Sequence, residues 1–169
     1  MGVKIKYTTI KDDLPEMMSR LKAVNGKGVE VGVLKGEHAW LAGIHEYGCN
    51  IAVTPKMRVY LHRRGLHLKK STTHIRIPER AFLRTGYDNC REEVIQKGQL
   101  LLKQVAEGNM TANGCVTALG MELSSKIKDY ATEMGSPGNH PFTIGNKGSG
   151  NPLVDSGSMI GGITWRNAK

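Results

Sequence analysis

The sequence predicts an α+β domain in which a small, twisted, mainly antiparallel sheet packs against one or two long helices, with long loops between them. The chain has 169 residues, a length that suits a single domain spanning residues 1–169. Apolar and polar residues alternate, as they do in half-buried strands, at Val3–Thr9, Val29–Leu34 and Ile163–Asn167. Two long segments with helical spacing precede the last of these. Strands near both ends with helices between them predict that the ends of the chain meet in one sheet.

The first third of the chain also carries the end signals of two shorter helices. Asp12 or Asp13 is placed to cap the first of them, which has Pro15 in its first turn. The second is predicted over Glu37–Tyr47, and Gly48 ends it because glycine readily adopts the left-handed conformation of a helix C-terminus.

Two long helices are predicted in the second half. Asp88 or Asn89 caps the first, which runs to about Glu107, and the second covers roughly Thr111–Met134. Their short connection predicts an antiparallel pair or a bend across a sheet. Apolar residues at steps of three and four predict the buried faces, which comprise Val94, Ile95, Leu101, Leu102 and Val105 in the first helix and Val116, Leu119, Leu123, Ile127 and Tyr130 in the second.

Two further segments are predicted to be irregular. Residues 49–80 form an extended basic loop or hairpin, in which Arg58–Leu61 is a short strand or helical turn and Thr73–Ile77 is a strand. Gly135–Gly150 is rich in Gly and Pro, so we expect a loop with little to bury. A turn at Val154–Gly157 then precedes the last strand.

The composition favours acidic partners. The net charge is +9, and such a field attracts nucleic acid, a polyanionic surface or an acidic protein ring. Apart from Arg63–Lys70, the Lys and Arg residues are scattered, which predicts salt-sensitive, non-specific attraction. The three Cys residues have irregular spacing and predict reduced thiols. No leader or membrane-spanning run is recognised, so we expect a soluble protein made in a cytoplasm.

A metal site and a structural role compete for the segment His45–Cys49. A His and a Cys four residues apart on a helix can share a zinc ion, with Glu46 as a base, but a third ligand is missing and Gly48 interrupts the helix. The structural interpretation places Ile44 and Tyr47 inward, His45 and Glu46 outward, and Gly48 at the C-cap.

Two further fragments suggest chemistry only by analogy. Asp155-Ser156-Gly157 has the local sequence of a serine nucleophile, yet the same residues are good helix caps before Met159 and Ile160. Gly145–Gly150 is glycine-rich but lacks the Lys-Ser/Thr ending of a phosphate-binding loop, so we expect a mobile loop. Nothing in the sequence pairs a nucleophile with a base.

Three segments carry a resemblance to a known family. They are Ala42–Gly48 (AGIHEYG), on a helix that follows a strand, then Ile77–Arg84 (IPERAFLR), and finally Pro152–Ile163 (PLVDSGSMIGGI). In this order they resemble the tail-completion proteins of long-tailed bacteriophages, also described as neck, head–tail joining or "tail-component" proteins. The similarity covers about residues 29–167. It rests on the three segments occurring together and in this order. The insert at residues 49–73 is longer and more basic than in the simplest members.

The resemblance implies a structural virion protein of the phage neck, without catalysis, cofactor or metal. Such a protein completes the tail in the host cytoplasm and presents a docking surface to the head. Because tail tubes are six-fold, the implied working state is a ring, a hexamer whose contacts close by rotation. The implied partners are further copies of the chain, the tail tube or tail terminator protein, and head–tail connector or adaptor proteins. Genomic DNA in the lumen is a non-specific partner, and no membrane is involved.

The candidate interface residues fall into three groups. Phe82 and Leu83 are expected to anchor a helix start or a subunit contact, and Arg84 to pair with a neighbouring carboxylate. Met159 and Ile160 are expected to seat the last strand. The basic segment around residues 63–70 is a solvated loop tip, a phosphate contact or a contact with an acidic subunit, and its candidate residues are Arg63, Arg64, Lys69 and Lys70. The segment 135–150 is a further candidate for contacts that form on assembly.

Two other functions compete with this one. A small nucleic-acid-binding protein would account for the charge, although no recognised binding motif is present. A hydrolase built on His45 or Ser156 would require the two residues to have catalytic partners.

Overall fold

The computed structural model describes residues 12–168. The predicted fold class is confirmed, with two small antiparallel sheets packed with long helices. The strand predicted at Val3–Thr9 lies outside the described residues. The elements are α1 (Leu14–Lys22), β1 (Val29–Val33), α2 (Glu37–Tyr47), β2 (Cys49–Ala52), α3 (Pro55–Arg63), β3 (His74–Ile77), α4 (Phe82–Ala106), α5 (Ala112–Glu133), α6 (Pro141–Lys147), α7 (Ser158–Gly161) and β4 (Ile163–Asn167).

The strands form two separate pairs. In the first sheet β1 pairs antiparallel with β4, with Val31 opposite Trp165. In the second, β2 pairs antiparallel with β3, with Ile51 opposite Ile75. The strands expected at residues 29–34 and 163–167 are therefore confirmed and are partners, whereas β2 was not predicted.

Helices α4 and α5 form the antiparallel pair that the sequence predicted. A Cβ at Gly86 would lie 3.5 Å from the Ile127 side chain, and one at Gly98 would lie 3.6 Å from Leu119, so the two helices run in opposite directions. The largest buried side chain between the elements is that of Phe82. The main core also includes Leu123, Ile127, Ala131, Leu153, Met159, Ile160 and Ile163.

The first sheet packs closely on α5. At Gly120 an added Cβ would lie 2.3 Å from the Trp165 ring, so only glycine allows this approach. Thr111, where the helix was predicted to begin, caps α5, because its hydroxyl accepts a hydrogen bond from the Gly114 amide at 3.0 Å. The observed end at Glu133 lies within one residue of the predicted one.

The predicted start of α4 is wrong. The helix begins at Phe82, six residues before Asp88, which lies inside it. Two of its predicted inward residues, Ile95 and Leu102, are also exposed. Extending the helix backward places its N-terminus beside α2, and the capping group comes from that helix.

The segment 49–80 contains α3 where a short strand or helical turn was predicted at Arg58–Leu61, and β3 confirms the strand predicted at Thr73–Ile77. The segment 135–150, predicted as a loop, also contains a helix. Within residues 49–80, α3 begins after Thr54, whose hydroxyl accepts a hydrogen bond from the Met57 amide at 3.1 Å, and Pro55 occupies its first turn. The paired strands β2 and β3 close this segment into a hairpin-like lobe. Within residues 135–150, α6 begins at Pro141 and ends at Lys147, and Gly148 follows it as a C-cap in the left-handed conformation. None of the helices within residues 12–168 has the length and hydropathy needed to cross a bilayer.

Candidate functional site

The end of α2 and the start of α4 are joined by a buried carboxylate. Glu46 is 3% exposed, and its Oε2 and Oε1 accept hydrogen bonds from the amides of Leu83 at 2.9 Å and Arg84 at 3.1 Å. The first amides of a helix have no partner within the helix, and an anion there is also favoured by the helix dipole. Glu46 therefore caps α4 from another part of the chain.

The Arg84 side chain completes this cap. Its Nε donates to Glu46 Oε1 at 2.9 Å, and its Nη2 donates to the Glu46 carbonyl at 3.0 Å and to Glu79 Oε1 at 2.7 Å. The hydrogen bond to Glu46 is the main reason that the pKa of Arg84 is raised. The guanidinium also lies 4.9 Å from the centre of the Tyr47 ring.

The orientation predicted for the end of α2 is wrong. Glu46 points inward, whereas Tyr47 is 69% exposed, because the free amides of α4 draw the carboxylate into the fold. The predicted C-cap is confirmed, since Gly48 has a φ of 67°. A Cβ there would lie 2.8 Å from the Glu79 amide nitrogen, so the chain passes Gly48 too closely for any side chain.

A second arginine fastens the loop after α5 to the same place. Arg80 is 3% exposed, and its amide donates to the His45 carbonyl at 2.7 Å. Its Nε donates to the Pro137 carbonyl at 2.7 Å, and its Nη2 donates to the Gly138 carbonyl and to Asn139 Oδ1, both at 3.0 Å. A planar guanidinium suits several fixed acceptors at once. We call residues 45–48 and 79–84 the α2–α4 joint.

The loop that leads to α7 is tied to the same region. The Asn151 side chain accepts from the amides of Leu153 at 2.8 Å and Val154 at 3.0 Å. Lys147 donates to the carbonyls of Asn151 and Val154. Asn139, which binds Arg80, also donates to the Pro152 carbonyl at 3.5 Å. The three segments that carry the family resemblance thus meet around one joint.

His45 is held neutral. Burial, followed by the nearby charges of Arg80 and Lys147, lowers its pKa from 6.5 to about 4. Its Nδ1 lies 3.1 Å from Arg80 Nη1, and because a guanidinium can only donate, Nδ1 is the acceptor and the proton is on Nε2. An imidazole with this pKa and tautomer is a weak general base near neutral pH.

Ser156 and His45 line the same cavity of about 320 Å³, together with Asp155, Ser158 and Lys147. The hydroxyl of Ser156 lies 2.8 Å from that of Ser158. Among the described residues, neither hydroxyl is hydrogen-bonded to an imidazole. The pocket therefore brings together the residue types that the hydrolase hypothesis named. The described contacts do not include the hydrogen bond to a base that activates a serine.

The other proposed chemical sites are occupied by structural contacts. The Glu46 carboxylate, which the zinc hypothesis required as a base, is bound by helix amides and Arg84. Within residues 12–168, no group of three or more His, Cys, Asp or Glu side chains is placed to hold a metal ion. In the glycine-rich segment Gly145–Gly150, the single cation, Lys147, donates to two backbone carbonyls.

The four basic candidates lie in the lobe that β2 and β3 close, which we call the basic lobe (residues 49–78). Arg63 is the last residue of α3, and Arg64 follows it, with its guanidinium 5.4 Å from the Tyr60 ring centre. Lys69 and Lys70 lie in the loop after α3. All four side chains are exposed.

The remaining candidates divide between core and surface. Phe82, Met159 and Ile160 are buried in the main core, so they do not belong to the exposed surface of the monomer that an interface would use. Leu83 is partly buried against that core. Arg84 is half exposed and pairs within the chain with Glu46 and Glu79.

Sequence reasoning missed the structural roles of three residues that organise the fold, namely Glu46, Arg80 and Arg58. One signal was present for two of them, since Glu46 and Arg80 both lie inside the segments that carry the resemblance. Arg58 had no such signal. No protein-family model, curated protein or solved structure matches this chain.

Proposed function

We propose that this chain is a structural protein of the bacteriophage neck that completes the tail and helps to join it to the head. The working form is a closed ring of identical subunits, a hexamer that matches a six-fold tail tube. Its partners are the tail tube or tail terminator protein on one side and the head–tail connector or adaptor proteins on the other. The role requires binding surfaces and a rigid framework, and it requires no catalytic centre.

The observation that carries this proposal is the convergence of the three resemblance segments on the α2–α4 joint. Ala42–Gly48 supplies the carboxylate that caps α4, and Ile77–Arg84 supplies the two amides and the Arg84 guanidinium that bind this carboxylate. The same segment supplies Arg80, which contacts His45. Pro152–Ile163 is linked to Arg80 through Asn139. Segments that are separate in sequence therefore act as one structural unit, which supports reading the three as one set.

The surface outside the joint supports a role in assembly. Trp40 and Tyr47 lie seven residues apart on α2, and therefore on one face of it, and they are 73% and 69% exposed. Leu100 on α4 and Met121 on α5 are also more than half exposed. Exposed aromatic and large apolar side chains are typical of contacts between subunits.

Electron cryo-microscopy of phage particles that carry a tagged copy of the chain tests this proposal. We expect density for the tag in a ring between head and tail, and the number of subunits can be read from that ring. The control is a particle preparation with the untagged chain. Absence of the tag from purified particles would exclude the neck function.

A further inference from the structure

The basic lobe concentrates the charge of the whole chain. Residues 49–78 contain seven of the 24 Lys and Arg residues and none of the 15 Asp and Glu residues, so they account for +7 of the net charge of +9. The remainder of the chain is close to neutral. The positive field therefore originates mainly from one lobe.

Among residues 12–168, the cations of this lobe have no carboxylate partner. The ion pairs found among residues 12–168 all lie elsewhere, for example between Arg84 and Glu46 and between Lys126 and Glu93. The lobe residues without such a partner are Lys56, Arg58, Arg63, Arg64, Lys69, Lys70 and Arg76. A surface of one sign, without internal neutralisation, attracts anions from solution.

One of these cations holds the loop in shape. Arg58 Nη1 donates to the carbonyls of Leu68 at 3.2 Å and Lys69 at 2.9 Å, and its Nη2 donates to the Thr72 carbonyl at 2.7 Å. The Val53 amide donates to the Thr73 carbonyl at 2.8 Å and extends the β2–β3 pairing into the lobe. The other cations are therefore presented by an organised loop on a two-stranded base.

The uniform sign of the lobe distinguishes between two kinds of acidic partner. Protein surfaces that dock in a fixed register usually carry both signs, because opposed pairs set the register. A nucleic-acid backbone repeats one negative charge at short intervals and needs no register. A lobe with seven cations and no carboxylate fits the second kind of partner.

We propose that the basic lobe binds the phosphate backbone of duplex DNA without sequence preference, through Arg63, Arg64, Lys69 and Lys70, with Arg58 as a positioning residue. The binding belongs to the lobe itself, so it does not depend on the neck function. In a ring of subunits, this binding would hold the lobe of each subunit against DNA that passes through the centre of the ring.

The test is a salt titration of binding between the full chain and a short, mixed-sequence, fluorescently labelled DNA duplex. The lobe variant replaces Arg63, Arg64, Lys69 and Lys70 with Gln. Each phosphate contact contributes about 0.9 to the slope of log K against log salt. We expect the lobe variant to reduce that slope by about 3–4 and to weaken binding at least about tenfold near physiological salt.

A matched control removes the same charge elsewhere. Lys22, Lys35, Arg91 and Lys97 are exposed and lie outside the lobe, so their replacement with Gln should change the affinity less than about twofold. Equal losses in the two variants would overturn the proposal, because net charge alone would then explain binding. Failure of the unaltered chain to bind the duplex would overturn it directly.

A competition experiment separates DNA from an acidic protein partner. Poly-glutamate, added at the same concentration of negative charge as competing unlabelled duplex, should displace the labelled DNA much less effectively. Equal or stronger displacement by poly-glutamate would assign the lobe to an acidic polypeptide and overturn the DNA proposal. Tag density in particles tests the neck function separately, so either proposal can fail alone.

Discussion

In the α2–α4 joint each charged side chain is paired within the chain, whereas most cations of the basic lobe face solvent and have no carboxylate partner among residues 12–168. Glu46 accepts from two amides and from Arg84, and buried Arg80 donates to four acceptors. In the lobe, Arg58 is the one cation that the described residues bind through several hydrogen bonds.

The difference follows from burial. A buried ion without partners costs several kcal/mol, so charges in the joint are tolerated only because hydrogen bonds and opposite charges surround them. An exposed ammonium or guanidinium keeps its hydration and costs little. The charges of the joint therefore contribute to holding the fold together, whereas the cations of the lobe remain available to bind a partner.

Loss of the Glu46 carboxylate should be the most damaging change to the joint. Glu46→Ala leaves two helix amides without an acceptor and removes the ion pair with Arg84. We expect the free energy of unfolding to fall by about 3 kcal/mol, as measured by denaturant titration. Glu79→Ala is the matched control, since Glu79 also binds Arg84 but is exposed, and it should cost less than about 1 kcal/mol. Equal effects of the two changes would show that the cap contributes nothing special.

The stability of the joint should also depend on pH through His45. Its pKa is about 4 in the folded chain and 6.5 in its ordinary state. Between these values the unfolded chain binds a proton that the folded chain does not, so the free energy of unfolding falls as the pH drops from about 6.5 to 4. We expect this one group to contribute about 2 kcal/mol to the loss.

His45→Asn provides the comparison for this effect. Its amide oxygen can accept the hydrogen bond from Arg80 but cannot titrate. Denaturant titrations of both chains across this pH range should show a shallower dependence in the variant, with carboxylate contributions common to both. Parallel curves would contradict the assignment of the proton to His45.

Elements whose signals are local were predictable from the sequence. Thr111 caps α5, Gly48 ends α2, and β1 and β4 were recognised by alternation, all within a few residues of the observed positions. The signals for α6 were also local, with Pro141 in the first turn and Gly148 after the end. A loop was nevertheless predicted for this segment, because its Gly-rich composition was given more weight than these correct end signals.

Elements that depend on distant residues were not predictable in the same way. The start of α4 at Phe82 is fixed by Glu46, which accepts a hydrogen bond from the Leu83 amide 37 residues later in the chain. The polar residues Asp88 and Asn89 therefore gave a misleading local signal. The inward direction of Glu46 follows from the same contact. The strand β2 exists because β3 pairs with it, and four residues of its own sequence do not specify it.

The smallest expected effect is that of the lobe variant on stability. Arg63, Arg64, Lys69 and Lys70 are exposed and contact no carboxylate of the described chain, so their replacement with Gln breaks no ion pair. It removes only the exposed contact between Arg64 and the Tyr60 ring. It also removes repulsion between like charges in the lobe.

We therefore expect the free energy of unfolding of the lobe variant to stay within about 0.5 kcal/mol of that of the unaltered chain. This is the same variant, with four cations replaced, that is used in the DNA-binding experiment. Denaturant titration at low and moderate salt measures this difference. A large loss of stability would mean that these cations hold the fold together, as Arg80 and Arg84 do, and the contrast between joint and lobe would then be wrong. A small increase in the free energy of unfolding of the variant at low salt, which disappears as salt is added, would show that repulsion among the lobe cations destabilises the unaltered chain.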